Sequence, residues 1–207
     1  MSESIWPTIH AERRALADDL ATLTPKQWAT PSLCDGWTVH DVLAHQLSAA
    51  KMTPPKFVWN FYAARFNFDR FAAKQVQREG AGGPEATLAA FRAAEKRTSA
   101  PPGPKETWLG EAFVHGEDIR RPLGLKREYP LDQVVRALAF YVKSQAIIHS
   151  KKRVEGLTLK ATDTDYQAGS GPLVEGPAMS LLMVAGGRKA ALADLTGPGV
   201  EELRRRP

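Results

Sequence analysis

Apolar residues follow two different periods along this chain. Up to about residue 150 they recur three or four positions apart, as in Val39, Val42, Leu43 and Leu47, which is typical of helices with one buried face. After Gly156 they alternate with polar residues over a short stretch, which is typical of a half-buried strand. The pattern therefore predicts antiparallel helices with short connections, followed by a smaller segment that mixes strands and helices.

Prolines, glycines and capping residues bound the predicted elements. Helices are predicted at about 3–23, 38–53, 56–77, 85–99, 105–121 and 130–150, and short strands at 157–162 and 173–175. An apolar helix over 177–184 and a last short helix within 197–206 complete the pattern. We expect a mainly α protein, with an antiparallel helical bundle over 1–153 and a small α/β domain over 154–207.

The composition is that of an ordinary globular protein, with 43% hydrophobic and 25% charged residues among 207. No apolar stretch is long enough for a transmembrane helix, and the first residues lack the features of a signal peptide. A single cysteine, Cys34, excludes an intramolecular disulfide. We therefore expect a cytoplasmic protein without a membrane partner.

The net charge of +5 raises the question of nucleic-acid binding. The basic residues are spread thinly, apart from short runs at 151–153 and 204–206, and no aromatic residues alternate with them. Nucleic-acid binding is therefore the least favoured function, and a small anionic substrate suits the charge equally well.

Three residues suggest a metal site. Glu111 and His115 are four positions apart in a predicted helix, so their side chains lie on one face. His45 lies in another predicted helix, and if the two helices face each other, two imidazoles and one carboxylate meet. Three protein ligands with one open position are typical of a catalytic metal rather than a structural one.

Four motifs, in order, carry a family resemblance. They are the segment Leu-Cys-Asp-Gly-Trp-Thr-Val-His-Asp-Val-Leu-Ala-His at 33–45, the Glu-x-x-x-His pair with 116–124, the polar and glycine segments at 162–163, 169–172 and 176–178, and the segments 181–188 and 195–200. With them the chain resembles the mycothiol-dependent maleylpyruvate isomerase family, a branch of the DinB-like metalloproteins. His40 and Asp35 depart from the family pattern, and neither is an expected ligand.

The resemblance implies a DinB-like four-helix bundle whose metal ligands are His45, Glu111 and His115, with a small α/β C-terminal domain that closes over the site. It also implies a divalent metal, for which zinc is the first choice, and mycothiol as an external thiol. The expected activity is isomerisation or S-transfer on a small electrophilic, maleylpyruvate-like substrate through a metal-bound thiolate. The partners are thus a small thiol and a small electrophile, and homodimer formation is left open.

Arginines are the candidates for binding the anionic groups. Arg120 and Arg188 are predicted to be catalytic and Arg121 to bind the cofactor, since guanidinium groups pair with carboxylates. For Arg120 and Arg121, stabilisation of a helix C-terminus is an equally good interpretation. Asp118 is predicted either to hold the second ring nitrogen of His115 or to pair with one of these arginines.

The other candidates receive structural interpretations. His40 is interpreted as an exposed residue on a helix face, His10 and His149 have no evident partner, and Cys34 is interpreted as a small buried hydrophobic residue. Two other functions compete with the enzyme. One is a metal-stabilised binding protein without turnover, and the other is a hydrolase of the same superfamily that activates water instead of a thiol.

Overall fold

The computed structural model describes residues 4–145 and 150–206. It is mostly helical and contains a small three-stranded sheet, which confirms the predicted fold class. His149 lies outside the described residues. No helix in the described ranges is long and apolar enough to cross a membrane.

Helices fill the chain up to Tyr141. They are α1 Trp6–Asp19, α2 Pro25–Trp28, α3 Val39–Lys51, α4 Pro54–Ala63, α5 Phe68–Gly80, α6 Gly83–Ala93, α7 Lys105–Arg120 and α8 Leu131–Tyr141. The remaining elements are α9 Ser150–Val154, strands β1 Thr158–Ala161, β2 Gln167–Gly169 and β3 Leu173–Gly176, α10 Ala178–Ala185, a 3-10 helix Lys189–Asp194 and α11 Val200–Arg205.

The chain forms two compact units. The first comprises Met1–Trp108 and His115–Arg127, and the second comprises Leu109–Val114 and Glu128–Pro207. Helix α7 thus contributes residues to both units. The predicted domain boundary after residue 153 stays a prediction.

The core of the first unit is built on the apolar face of α3. Val39, Val42, Leu43 and Leu47 are fully buried, as their helical spacing predicts. The helix begins where a capping box predicts, because Thr38 accepts a hydrogen bond from the backbone of Asp41 and the Asp41 carboxylate accepts one from the backbone of Thr38. This cap fixes the register of α3 and hence the direction in which its polar residues point.

The single helix predicted over 56–77 is wrong, since the structure has two helices there, α4 and α5. The predicted helix is interrupted at Arg65 and Phe66, which both have positive φ angles, of 56° and 58°. Asn67 then caps α5, because its side chain accepts a hydrogen bond from the backbone N–H of Arg70. Similarly, the helix predicted over 130–150 is already interrupted after Tyr141.

The second unit contains a sheet in the order β2-β1-β3. β1 pairs in antiparallel register with β2 (Leu159 opposite Ala168) and in parallel register with β3 (Leu159 opposite Val174). Leu159 and Val174 are buried, and the apolar helix α10 packs against β1, β3 and α8. β2 and the 3-10 helix were not predicted, whereas β1, β3 and α10 lie where the pattern predicts them.

Candidate metal centre

A tight loop precedes α3 and carries Cys34. The backbone N–H of Trp37 donates to the carbonyl of Cys34 at 3.0 Å, and Gly36 between them has a φ of +75°. A four-residue turn with positive φ at its third position requires glycine or asparagine there. The N–H of Leu33 donates to the carbonyl of Asp118 at 3.1 Å, so this loop is bonded directly to α7.

His115 and Asp118 form the centre of the site. His115 Nδ1 lies 2.8 Å from Asp118 Oδ2, which confirms the predicted contact of Asp118 with this ring. The Cys34 thiol donates to the same Asp118 oxygen at 3.0 Å, and its Sγ lies 3.6 Å from His115 Nδ1. Asp118 is fully buried, so its charge depends on these partners.

The surroundings of His115 favour its charged form. Burial by itself lowers the pKa of the imidazole, but hydrogen bonds to Asp118 and Cys34, together with the negative charge of Asp118, outweigh it and raise the pKa to about 10. A metal ion binds a neutral imidazole, so it must displace the proton that makes the ring of His115 charged. The Nδ1–H that Asp118 accepts leaves Nε2 as the nitrogen with a lone pair in the neutral ring.

His45, on α3, lies beside His115. The two ring centroids are 4.8 Å apart with an edge-on geometry, and the ring of Trp37 lies 5.2 Å from that of His45. Both histidines are half-buried. The side of the site formed by α3 therefore combines an imidazole with an indole from the preceding loop.

Among residues 4–145 and 150–206, potential ligand atoms fall into two overlapping sets. His45, Glu111 and His115 form one, with ligand atoms that all lie within 4.8 Å of one another. Cys34, His115 and Asp118 form the other at the same separation. The first set is the one predicted from sequence, and the structure brings its three members together. Their role as metal ligands stays a prediction.

The arginines at the end of α7 are held in ion pairs. Arg120 is fully buried, and its Nε donates to Asp19 at 2.6 Å. Arg121 donates through Nε to Glu117 at 2.7 Å, one turn earlier in α7. These contacts give both residues a structural role, and their predicted roles in catalysis and cofactor binding stay predictions.

Arg188, the third predicted arginine, lies in the second unit. It follows Gly187 directly after α10, and its Nη1 donates to the carbonyl of Gly186 at 2.6 Å. Burial lowers the pKa of the Arg153 guanidinium, and the nearby positive charge of Arg188 lowers it further. Its predicted catalytic role stays a prediction.

Two neighbours of the candidate ligands were missed from sequence. Cys34 is half-buried and packs against the core of the first unit, but its thiol also donates to Asp118, so it is a polar partner in the site as well. Trp37 packs against the core of the first unit and also contacts His45. The available signal was the position of both residues in the loop just before the helix that carries His45.

Comparisons with known proteins agree on the family. The family model described as mycothiol maleylpyruvate isomerase N-terminal domain matches residues 9–120. Among solved structures, a crystal structure of a histidine-to-alanine mutant of the mycothiol-dependent maleylpyruvate isomerase is similar, with a TM-score of 0.59 and 15% identity. A crystal structure of the mycothiol-dependent maleylpyruvate isomerase has a TM-score of 0.54 and 14% identity.

Each of these alignments covers 93% of this chain and 91% of the other. At such low identity the structural likeness shows a common fold. No curated protein sequence matches significantly. The family match includes His45, Glu111 and His115 and spans more than half of the chain. The chain therefore belongs to the mycothiol maleylpyruvate isomerase family, through its N-terminal domain.

Proposed function

We propose that this chain is a metal-dependent and mycothiol-dependent isomerase or S-transferase that acts on a small, maleylpyruvate-like electrophile. The observation that carries the proposal is the convergence of His45, Glu111 and His115, whose ligand atoms lie within 4.8 Å of one another. Family membership supplies the thiol and the substrate class.

The residues fit a divalent metal ion. Two imidazoles and one carboxylate are common zinc ligands, and three protein ligands leave a coordination position open. When bound there, the ion supplies positive charge that stabilises the anion of an incoming thiol. The half-buried state of all three ligands keeps the site accessible to a small molecule.

Asp118 prepares His115 for this role. By accepting a hydrogen bond from Nδ1–H, with an Nδ1 to Oδ2 distance of 2.8 Å, it fixes the tautomer and the orientation of the ring, as carboxylates commonly do behind metal-ligating histidines. This arrangement also favours the His45 set over the Cys34 set. Cys34 and Asp118 already bond to each other on the Nδ1 side of the ring, so they serve best as supports.

The thiol of the reaction comes from outside the chain in this proposal. Cys34 provides the sole protein thiol, and it is engaged as a hydrogen-bond donor to a buried carboxylate. For isomerisation, an external thiol adds to the activated double bond, the new single bond rotates, and the thiol leaves again. For S-transfer the adduct is retained.

The first test is metal content, measured in the wild type and in His45→Ala, Glu111→Ala and His115→Ala after reconstitution with zinc. We expect about one ion per chain in the wild type and its loss in each variant. His10→Ala is the matched control, because His10 contacts Trp6 and the carbonyl of Arg97 instead. A folded wild type that takes up no metal contradicts the proposal.

Turnover of maleylpyruvate, followed with and without mycothiol, then separates the competing functions. Loss of activity when mycothiol is omitted is the expected result. Turnover without added thiol indicates the hydrolase, and metal binding without turnover of any tested electrophile indicates a binding protein. Either result contradicts the thiol-dependent mechanism while leaving the metal site in place.

A further inference from the structure

A groove in the first unit has no role in the site described above. It encloses about 620 Å³ between the end of α3, the start of α4 and the end of α5, which is within the size range of small-molecule pockets. We refer to it as the α3–α5 groove and define it by Lys51, Lys56, Trp59, Arg78, Glu79 and Arg97.

The groove is strongly basic. Four of its lining residues are cations and one is a carboxylate, Glu79. Lys51 Nζ lies 2.7 Å from Glu79 Oε2, and Arg78 Nη2 lies 3.1 Å from Glu79 Oε1, so this acid is already neutralised. Lys56 and Arg97 form no ion pair with any residue of 4–145 or 150–206. A concave surface with this excess of positive charge attracts anions.

Trp59 adds a flat apolar surface to the groove. It lines the groove and is 69% exposed, although tryptophan is usually highly buried. An exposed indole beside cations can stack on a planar conjugated group. The combination selects for a flat anion over both a neutral aromatic compound and a small inorganic anion.

The groove also lies on the His45 face of α3. Ser48, which lines the groove, follows His45 by three positions within α3, and residues at this spacing share one face of a helix. With a rise of about 1.5 Å per residue, Ser48 lies roughly 4.5 Å along the helix axis from His45. A short elongated ligand can therefore span from His45 into the groove.

We infer that the α3–α5 groove binds a small carboxylate with a flat, unsaturated body, with the carboxylate paired to Lys56 and Arg97 and the body stacked on Trp59. The identification of this ligand as the electrophilic substrate rests on the proposed function. Binding of the anion depends only on the groove, so it can be tested without metal and without turnover.

The test uses phthalate as a planar dicarboxylate and its neutral dimethyl ester as the matched control ligand. Protein labelled with 5-fluorotryptophan reports binding by fluorine NMR, with the Trp59 signal assigned from Trp59→Phe. We expect phthalate, and not the ester, to shift this signal. Lys56→Gln and Arg97→Gln should each weaken binding about two- to fivefold, as expected for the loss of one exposed ion pair.

Lys26→Gln is the control variant, since Lys26 is exposed on α2 and does not line the groove. It should bind phthalate like the wild type. Equal binding of the ester, an unmoved Trp59 signal, or equal weakening by Lys26→Gln would overturn the proposal.

The same titration in His45→Ala separates this proposal from the proposed function. Phthalate binding should persist in that variant, because the groove residues are intact. A wild type that fails to bind metal but still binds phthalate contradicts the proposed function alone. One that binds metal but fails to bind phthalate contradicts the groove proposal alone.

Discussion

At the scale of single residues, Asp118 controls the protonation of His115 in the metal-free protein. The raised pKa of His115, about 10 against an ordinary 6.5, means that the folded state holds this proton more tightly than the unfolded state. The resulting stability is fully present below pH 6.5, where both states are protonated. It declines as pH rises from 6.5 and is lost above about pH 10.

The Asp118→Asn variant tests this pH dependence. The variant should be less stable than the wild type by about 2 kcal/mol near pH 6, the usual contribution of a charged hydrogen bond. The difference should shrink towards pH 10. Thermal unfolding in the presence of a chelator, measured across this range, checks the prediction, and a difference that does not change with pH contradicts it.

Contacts between side chains of the site could be predicted from the sequence when both residues lie on the same helix. The Glu111 and His115 pair and the contact of Asp118 with His115 follow from helical spacing, because all three residues lie on α7. The contact of Cys34 with Asp118 joins residues 84 positions apart. It depends on the hydrogen bond from Leu33 to the carbonyl of Asp118, which no local pattern indicates.

At the scale of elements, α7 is kept close to α8 by the absence of a side chain at Gly110. A Cβ at this position would lie 2.3 to 2.6 Å from ring atoms of Tyr141. Alanine would improve helix propensity by about 1 kcal/mol, whereas overpacking a core costs about 1–3 kcal/mol. At such short contacts the upper part of that range applies, so we expect Gly110→Ala to destabilise the protein by about 1–2 kcal/mol.

Thermal unfolding of Gly110→Ala, Tyr141→Leu and the double variant checks this expectation. In the Tyr141→Leu background the ring is gone, so Gly110→Ala should become neutral or stabilising. Destabilisation of equal size in both backgrounds would show that the ring of Tyr141 is not the cause.

Elements were predictable where caps and periodicity agree. Helix α3 has both an apolar stripe and the Thr38 capping box, and it begins where expected. The break between α4 and α5 was hidden because aromatic residues continue through it, and its signal is a single capping residue, Asn67. Strand β2 is only three residues long and has no buried residue, so its pairing with β1 leaves no alternating pattern to read.

At the scale of the whole molecule, the apolar core and the candidate metal site are separate features. The core cluster of the first unit is formed by buried residues that include Leu16, Val42, Leu47, Phe91 and Ile119. It contains none of the expected ligands His45, Glu111 and His115, although Cys34 and Trp37 pack against it. A fold with such a core does not need a metal to collapse, unlike small zinc domains. The fold class was therefore predictable from apolar patterning, independently of the metal chemistry.

This separation predicts that the metal-free protein stays folded. Helical content should be retained after chelation, and thermal unfolding should stay cooperative. Added zinc should then increase the free energy of unfolding, by about 2.7 kcal/mol when free metal is 100 times the dissociation constant, and the melting temperature should rise accordingly. Circular dichroism with increasing zinc, in the wild type and in His45→Ala, measures both effects. Because His45→Ala removes a ligand, its melting temperature should not respond to zinc, and unfolding of the chelated wild type would instead indicate a structural metal.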